Sequence, residues 1–373
     1  MSRRADTRAA VMAARRRAAR SATGGSQTFL LEQTVTPATA ARYRKAVAAF
    51  VRWGIAAGAD ARDADEMDAL LVEYFTELYE DGAAHSNATT TLNGMVWLQP
   101  DLKYRLPCAA RAVRGWTKLE PGHSYPPLNW ELAVAIAVQL TRGGRYSHGV
   151  GVLLAFDCLL RVGELCALRR EDVVDTADRR MGFEHSGMML RLRKTKTGGN
   201  KSVRVLNPAV IDLVRSLVAE TATGALLFPF TTATFRRAMK ATCAELGLSA
   251  SYVPHSLRHG GATRYFHVLG WPIEDIMERG RWASTKSARG YIQSGVALLM
   301  SMDVPKATAK VAMVLAVDPA SFMRLARAML VAARTDPGRR GRLSLPQKHS
   351  VDAGIDSPTT LPMRQPDARG GGC

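Results

Sequence analysis

The longest nearly uninterrupted apolar stretch of the chain runs from residue 149 to residue 168. Hydrophobic side chains fill almost every position, so the pattern predicts a helix buried on most of its sides. Elsewhere the pattern is amphipathic. After Thr36-Pro37, an N-cap followed by a first-turn proline, Tyr43, Val47, Phe50, Val51 and Ile55 recur at helical spacing. Met67, Leu70, Leu71, Tyr74, Phe75 and Leu78 mark a second helix with an acidic outer face. A third begins near Ser86 and includes Leu92, Val96 and Trp97, and a fourth covers 109–119 with Arg111, Arg114 and Lys118 exposed.

Residues 120–128, Glu-Pro-Gly-His-Ser-Tyr-Pro-Pro-Leu, resist both helix and sheet and read as a linker. Beyond it the pattern predicts a helix over 130–140 closed by Gly143-Gly144, and the apolar run already described. A hairpin follows over 188–205, with Gly198-Gly199-Asn200 supplying its tight turn. Further helices are predicted over 208–219, 231–246, 296–304 and 318–334. The fold class is therefore mainly α with a small antiparallel β-hairpin or sheet. An all-α domain covers 28–119 and an α+β domain 129–334. Residues 1–27, rich in Ala and Arg, read as a basic disordered arm, and 335–373, rich in Pro, Gly, Arg and Ser, as a disordered tail.

Charge adds a partner to this picture. The 373 residues carry a net charge of +18 with a pI near 10.2, which favours a polyanion and nucleic acid first. Basic tails on an ordinary enzyme would account for part of that excess. Arg15-Arg16-Arg17 in the arm suits phosphate binding, nuclear import or organelle transit, or no dedicated role. Cys108, Cys158, Cys166, Cys243 and Cys373 lack metal-type spacing. Cys158 and Cys166, inside the apolar run, are expected as buried free thiols, which suits a reducing compartment. No apolar run is long enough to span a membrane, and the N-terminus lacks the apolar core of a secretory signal. The expected location is intracellular: cytoplasm or nucleoid in a prokaryote, nucleus in a eukaryote.

Candidate chemistry concentrates between Val253 and Gln293. His255 and Arg258 stand three apart, a spacing that puts both on one helix face. Trp282 follows, and Tyr291 comes nine residues after it, preceded by Arg289. A tyrosine hydroxyl can act as a nucleophile, and Arg and His are the groups that bind a phosphate it attacks. Nearby Tyr265 reads as packed, and His259 as a structural residue or a phosphate neighbour. Upstream, Arg161 lies in Leu-Leu-Arg161-Val-Gly-Glu164-Leu. A charge there needs a partner or a site to line, and two readings stay open: an ion pair with Glu164, or a phosphate ligand. Lys194 and Lys196 share one face of the first hairpin strand, with Lys201 on the return strand. Arg236, Arg237 and Lys240 group on the 231–246 helix, able to enter a groove or only hold DNA backbone.

The ordered set Arg161, Lys196, His255, Arg258, Trp282 and Tyr291 resembles the tyrosine recombinase, or phage integrase, family. That family carries a first-Arg box, a Lys on a hairpin, a His-x-x-Arg box, a His or Trp, and then the nucleophilic Tyr. The continuation Leu168-Arg-Arg-Glu-Asp172-Val173 fits the first-Arg box, and Trp in the third position resembles its Cre-like variant. The likeness is close over 130–295 and loose over 36–118, where the helices are similar to a core-binding domain. It implies two domains that form a clamp on DNA and transfer of a DNA phosphodiester onto Tyr291. Arg161 and Arg258 then hold the non-bridging oxygens. His255 takes the Tyr proton or bonds the phosphate, and Trp282 orients and desolvates. Lys196 protonates the leaving 5′-oxygen, with Lys194 and Lys201 as competitors, and Glu164 orients the site through Arg161 or His255. The implied DNA contacts are Lys194, Lys201, Arg111, Arg114, Arg236, Arg237, Lys240 and Arg289. No metal, ATP or other cofactor is expected. The partner is double-stranded DNA, bound by a homotetramer built from monomers, with the need for accessory proteins left open. A C-terminal helix either docks into a neighbouring protomer or packs on its own domain. Two other classes compete: a DNA-binding protein that no longer cuts, and a type IB topoisomerase.

Overall fold

Among the described residues the buried apolar side chains gather in three clusters, one in the N-terminal part of the chain and two in the C-terminal part. In the computed structural model the described residues are 13–18, 21, 29–122, 125–175, 187–195 and 198–335. They divide into one unit ending at Ser124 and another beginning at Tyr125. Residues 13–18 and 21 are helical, and the rest of the expected basic arm, like the tail from 336 onward, lies outside the described residues.

The first unit packs α1 (Pro37–Ala56), α2 (Ala64–Glu80), α3 (His85–Leu98) and α4 (Pro107–Leu119). Thr36 caps α1 by accepting from the Thr39 amide, and Asp63 caps α2 by accepting from the amides of Asp65 and Glu66. Phe50, Leu71, Tyr74, Phe75, Met95, Leu106 and Trp116 fill the core. The first turn of α4 has no cap of its own. Buried Asp68 of α2 supplies one, accepting from the Cys108 and Ala109 amides at 2.8 Å each. Arg111 and Arg114 are exposed on α4.

The second unit begins with α5 (Trp130–Arg142), capped by Asn129, which accepts from the Leu132 amide at 2.8 Å. Here the structure corrects the expected single helix over 149–168. The run divides into α6 (Tyr146–Asp157) and α7 (Val162–Cys166), and Leu159 between them has φ +49. Apolar content says only that a segment is buried. It does not say that its carbonyls bond within a helix, and here three arginine side chains take them, as described below. Cys158 is buried as expected, but Cys166 at the end of α7 is half-buried.

The sheet is antiparallel, β1 (Val173–Asp175), β2 (Met188–Thr195) and β3 (Gly198–Val205), in that order. Leu190 pairs with both Val173 and Val203, and Met188 with Val205, so Met188, Leu190, Leu192, Val203 and Val205 share the buried face. Arg191 and Arg193, on the opposite face, both reach buried Asp172. Thr195 pairs with Gly198, and Lys196 and Thr197 lie outside the described residues. Gly198-Gly199-Asn200 therefore lies on strand β3 rather than at the turn predicted for it.

Next come α8 (Pro208–Glu220), α9 (Thr232–Glu245), α10 (Pro254–His267), α11 (Ile273–Gly280) and α12 (Thr285–Arg289). Then follow α13 (Ser294–Met302), α14 (Lys306–Leu315), absent from the sequence expectation, and α15 (Pro319–Thr335). Of the two readings of the C-terminal helix, the structure takes the second: α15 packs on α5 and α8 of its own unit. Ala320, Met323 and Ala326 are buried there, and Arg327 pairs with Glu220 at 2.6 Å. No helix among the described residues is long and apolar enough to cross a membrane.

α10 crosses α6 at very short range because two of its residues have no side chain. A Cβ on Gly260 would fall 1.8 Å from the Leu128 carbonyl oxygen, and one on Gly261 2.3 Å from that of Phe156. Helix and backbone would have to separate to admit a methyl group. Gly261→Ala is expected to lower the stability to denaturant by about 3 kcal/mol or more, and an unchanged unfolding midpoint by circular dichroism would contradict this packing.

Candidate functional site

The site is built where α6 ends. The last carbonyls of a helix lack intrahelical donors and sit at the negative end of its dipole. Three buried arginines from later in the chain supply those donors. Arg279 donates to the Asp157 carbonyl through Nε at 3.0 Å and Nη2 at 2.6 Å, and through Nη1 to the Arg204 carbonyl at 2.8 Å. Arg281 donates to the carbonyls of Cys158 at 3.3 Å, Leu159 at 2.8 Å and Arg279 at 2.8 Å. Arg258, in the second turn of α10, donates to the carbonyls of Leu159 and Gly280. The Asp157 side chain completes the knot, pairing with Arg279 at 3.3 Å and accepting from Tyr265 Oη at 2.8 Å and the Leu206 amide at 2.9 Å. Tyr265 is thus packed, as its sequence context suggests.

This turn aims Arg161, the residue that opens α7. Its Nη1 donates to Glu164 Oε1 at 2.7 Å and its amide to Oε2 at 2.9 Å. Arg281 Nη2 donates to the same Oε2 at 2.9 Å. Glu164 therefore stands between two guanidinium groups, Arg161 and Arg281. Burial pushes its carboxyl up, but Arg281 and then Arg161 outweigh burial and hold it below the usual range. Of the two readings of Arg161, the ion pair is present, yet about a quarter of the side chain stays exposed. The remaining donors are open to a ligand.

Tyr291 follows α12 and is enclosed by aromatic rings. Its ring stacks on His259 with centroids 4.5 Å apart and meets Trp282 at 4.5 Å. Its hydroxyl lies 3.1 Å from Nε2 of His255, in the first turn of α10. Burial, Arg258 and Arg161 hold the His255 imidazole below its ordinary value, so it is neutral at neutral pH and able to accept a proton. The Arg258 guanidinium sits 4.5 Å from the Trp282 ring centroid and 5.3 Å from that of Tyr291. Trp282 folds back over Gly280, where a Cβ would come within 1.9 Å of the indole. Among the described residues its buried Nε1 has no hydrogen-bond partner, which leaves one donor in the site unused.

Arg161, Glu164, His255, Arg258, Trp282 and Tyr291 thus converge, with Arg258 the most deeply buried of them. Its side chain is fully buried with both terminal nitrogens on carbonyls, and burial, then Arg281 and Arg161, bring its pKa down to about 9. Lys196 lies outside the described residues, as does the side chain of Lys194, whose backbone pairs with Gly199. Lys201 is exposed on β3, Arg236, Arg237 and Lys240 on α9, and Arg289 at the end of α12. Sequence reasoning missed Asp157, Arg279 and Arg281. The signal was there: an aspartate interrupts the apolar run, and a charge in such a run requires a partner. Among the described residues no cluster of three His, Cys, Asp or Glu side chains is arranged to hold a metal.

Part of the chain is similar to known proteins. Residues 141–297 match the Phage integrase family. No curated protein sequence matches. Among solved structures, a lambda integrase (75–356) dimer bound to a COC′ core site superposes with a TM-score of 0.51 at 15% identity, covering 71% of this chain and 92% of that one. XerA recombinase gives 0.37 at 18% identity over 70% and 98%. The Tn1549 transposon integrase, in complex with circular intermediate DNA, gives 0.45 at 13% identity over 63% and 84%. At these identities the lambda integrase likeness speaks for the fold.

His259 offers a test of the enclosure. Burial first, then His255, lowers its pKa to about 4. An unfolded histidine takes a proton below about 6.5, so acid favours the unfolded chain and stability falls between there and about pH 4. His259→Gln is expected to flatten that part of the stability profile. A slope equal to wild type across this window would mean the imidazole is not enclosed.

Proposed function

We propose that this chain, whose residues 141–297 carry the phage integrase domain of the DNA breaking-rejoining enzymes, is a site-specific recombinase working through a 3′-phosphotyrosine at Tyr291. One observation carries the reading: the Tyr291 hydroxyl lies 3.1 Å from a neutral His255 imidazole, with Arg161 and Arg258 close enough to depress that imidazole.

Cleavage follows from these positions. Tyr291 Oη attacks the phosphorus as its proton passes to His255 Nε2. The bond to the 5′-oxygen breaks, leaving the phosphate on the tyrosine. Charge gathers on the non-bridging oxygens, and the open donors of Arg161 and the unused Trp282 Nε1 receive it. Trp282 cannot move a proton, so the third position acts as donor and water excluder, in the Cre-like manner. Buried Arg258 contributes a fixed positive charge beside the tyrosine ring, which favours the developing phenolate. Protonation of the departing oxygen falls to Lys196. Attack of a different 5′-hydroxyl reverses the steps and frees Tyr291. The phosphotyrosine retains the bond energy, so no ATP is consumed. Two duplexes present four strands, which calls for four protomers on DNA, and the reaction belongs inside the cell.

The test pairs two differently labelled duplexes carrying a recognition site with a supercoiled plasmid. Strands joined between duplexes support recombination. Relaxation without joining points to a topoisomerase, and binding without either to a protein that only grips DNA. Tyr291→Phe abolishes joining on this account. His255→Gln is expected to slow cleavage by roughly 10²–10⁴-fold, the usual range for losing a general base, with binding retained. An unchanged rate would remove His255 from the mechanism.

A further inference from the structure

We infer that Arg281 is a positioning residue for strand cleavage, holding Glu164 so that the Arg161 guanidinium points into the site. The inference rests on the recombinase reading and names a residue outside its catalytic set. Arg281 adopts φ +58 and ψ +42, a left-handed conformation that glycine takes without strain. A non-glycine residue persists there only when its surroundings over-determine it. The surroundings of Arg281 do so: its side chain is 2% exposed and its two terminal nitrogens reach four acceptors.

The fourth acceptor is the informative one. Glu164 Oε2 takes the Arg281 Nη2 hydrogen at 2.9 Å and the Arg161 amide at 2.9 Å, while Oε1 takes Arg161 Nη1 at 2.7 Å. The carboxylate is thereby fixed in its plane from two sides. A carboxylate held in place restricts in turn where Arg161 Nη1 can lie, because a charge-assisted hydrogen bond is short and directional. Backbone support for the turn does not require this contact, since Arg281 already donates to the carbonyls of Cys158 and Leu159. The left-handed residue directly before Trp282 therefore ties the indole end of the site to the Arg161 end through one buried carboxylate.

The experiment compares wild type, Arg281→Gly, Arg281→Lys, Glu164→Gln and the Arg281→Gly/Glu164→Gln double variant. Each is tested on a nicked suicide duplex, selected from a random pool for trapping wild type. Affinity for the duplex and the rate of covalent trapping are read separately, with melting by circular dichroism as a fold control. Arg281→Gly keeps its affinity and traps roughly 10²-fold more slowly, the loss expected of a small misplacement. Arg281→Lys, which keeps a cation beside Glu164, gives an intermediate rate. The double variant traps no more slowly than the slower single variant, since both substitutions break one chain of contacts. A wild-type rate in Arg281→Gly overturns the inference, and so does a double variant whose losses multiply. Should Arg281→Gly fail to fold, Arg281→Lys carries the comparison, alone and combined with Glu164→Gln. If wild type traps no DNA at all, the recombinase reading fails and this inference with it. Trapping by wild type at a rate the variants share defeats this inference alone.

Discussion

Everything in the second unit depends on the exposed carbonyl end of α6. A helix that stops inside a core leaves acceptors that water cannot reach, and each must be satisfied by the protein. Arg258, Arg279 and Arg281 satisfy those of Asp157, Cys158 and Leu159. In return, the helix dipole and the two carboxylates of Asp157 and Glu164 make three buried cations tolerable. The same turn brings the chain to Arg161, and the same arginines bracket Trp282. Folding and site assembly are therefore one event: the groups that close the helix end are neighbours, in sequence, of those that surround Tyr291.

That arrangement also sets the electrostatics. The groups around the Tyr291 ring are the guanidinium of Arg258, the indole of Trp282 and the imidazoles of His255 and His259. Glycines at 260, 261 and 280 make this closeness possible, since each sits where a single methyl group would strike a carbonyl or the indole. Arginine suits the task better than lysine, because a planar fork bonds two or three carbonyls at once and still lies flat against an aromatic ring.

Much of this was legible in the sequence. The cap at Thr36, helical spacing in the first unit, and strand alternation over 188–205 each rest on local physics, and the elements form there. The set from Arg161 to Tyr291 was legible because its residue types match one chemistry. What escaped depended on distant partners. The apolar run looked continuous because its break at Leu159 is made by side chains about a hundred residues away. The burial of Arg258 escaped for the same reason: a motif gives a residue its neighbours in sequence, not the carbonyls it will meet. The turn glycines shifted into β3 because pairing from Thr195 to Gly198 sets the register.

The central claim is that Tyr291 is the nucleophile of this enclosure. The most direct measurement incubates the full chain with a nicked suicide duplex, digests the trapped complex, and sequences the nucleotide-bearing peptide by mass spectrometry. The account predicts a 3′-phosphate linked to Tyr291 in wild type and no adduct in Tyr291→Phe. An adduct on another residue, or one that survives in Tyr291→Phe, would contradict it.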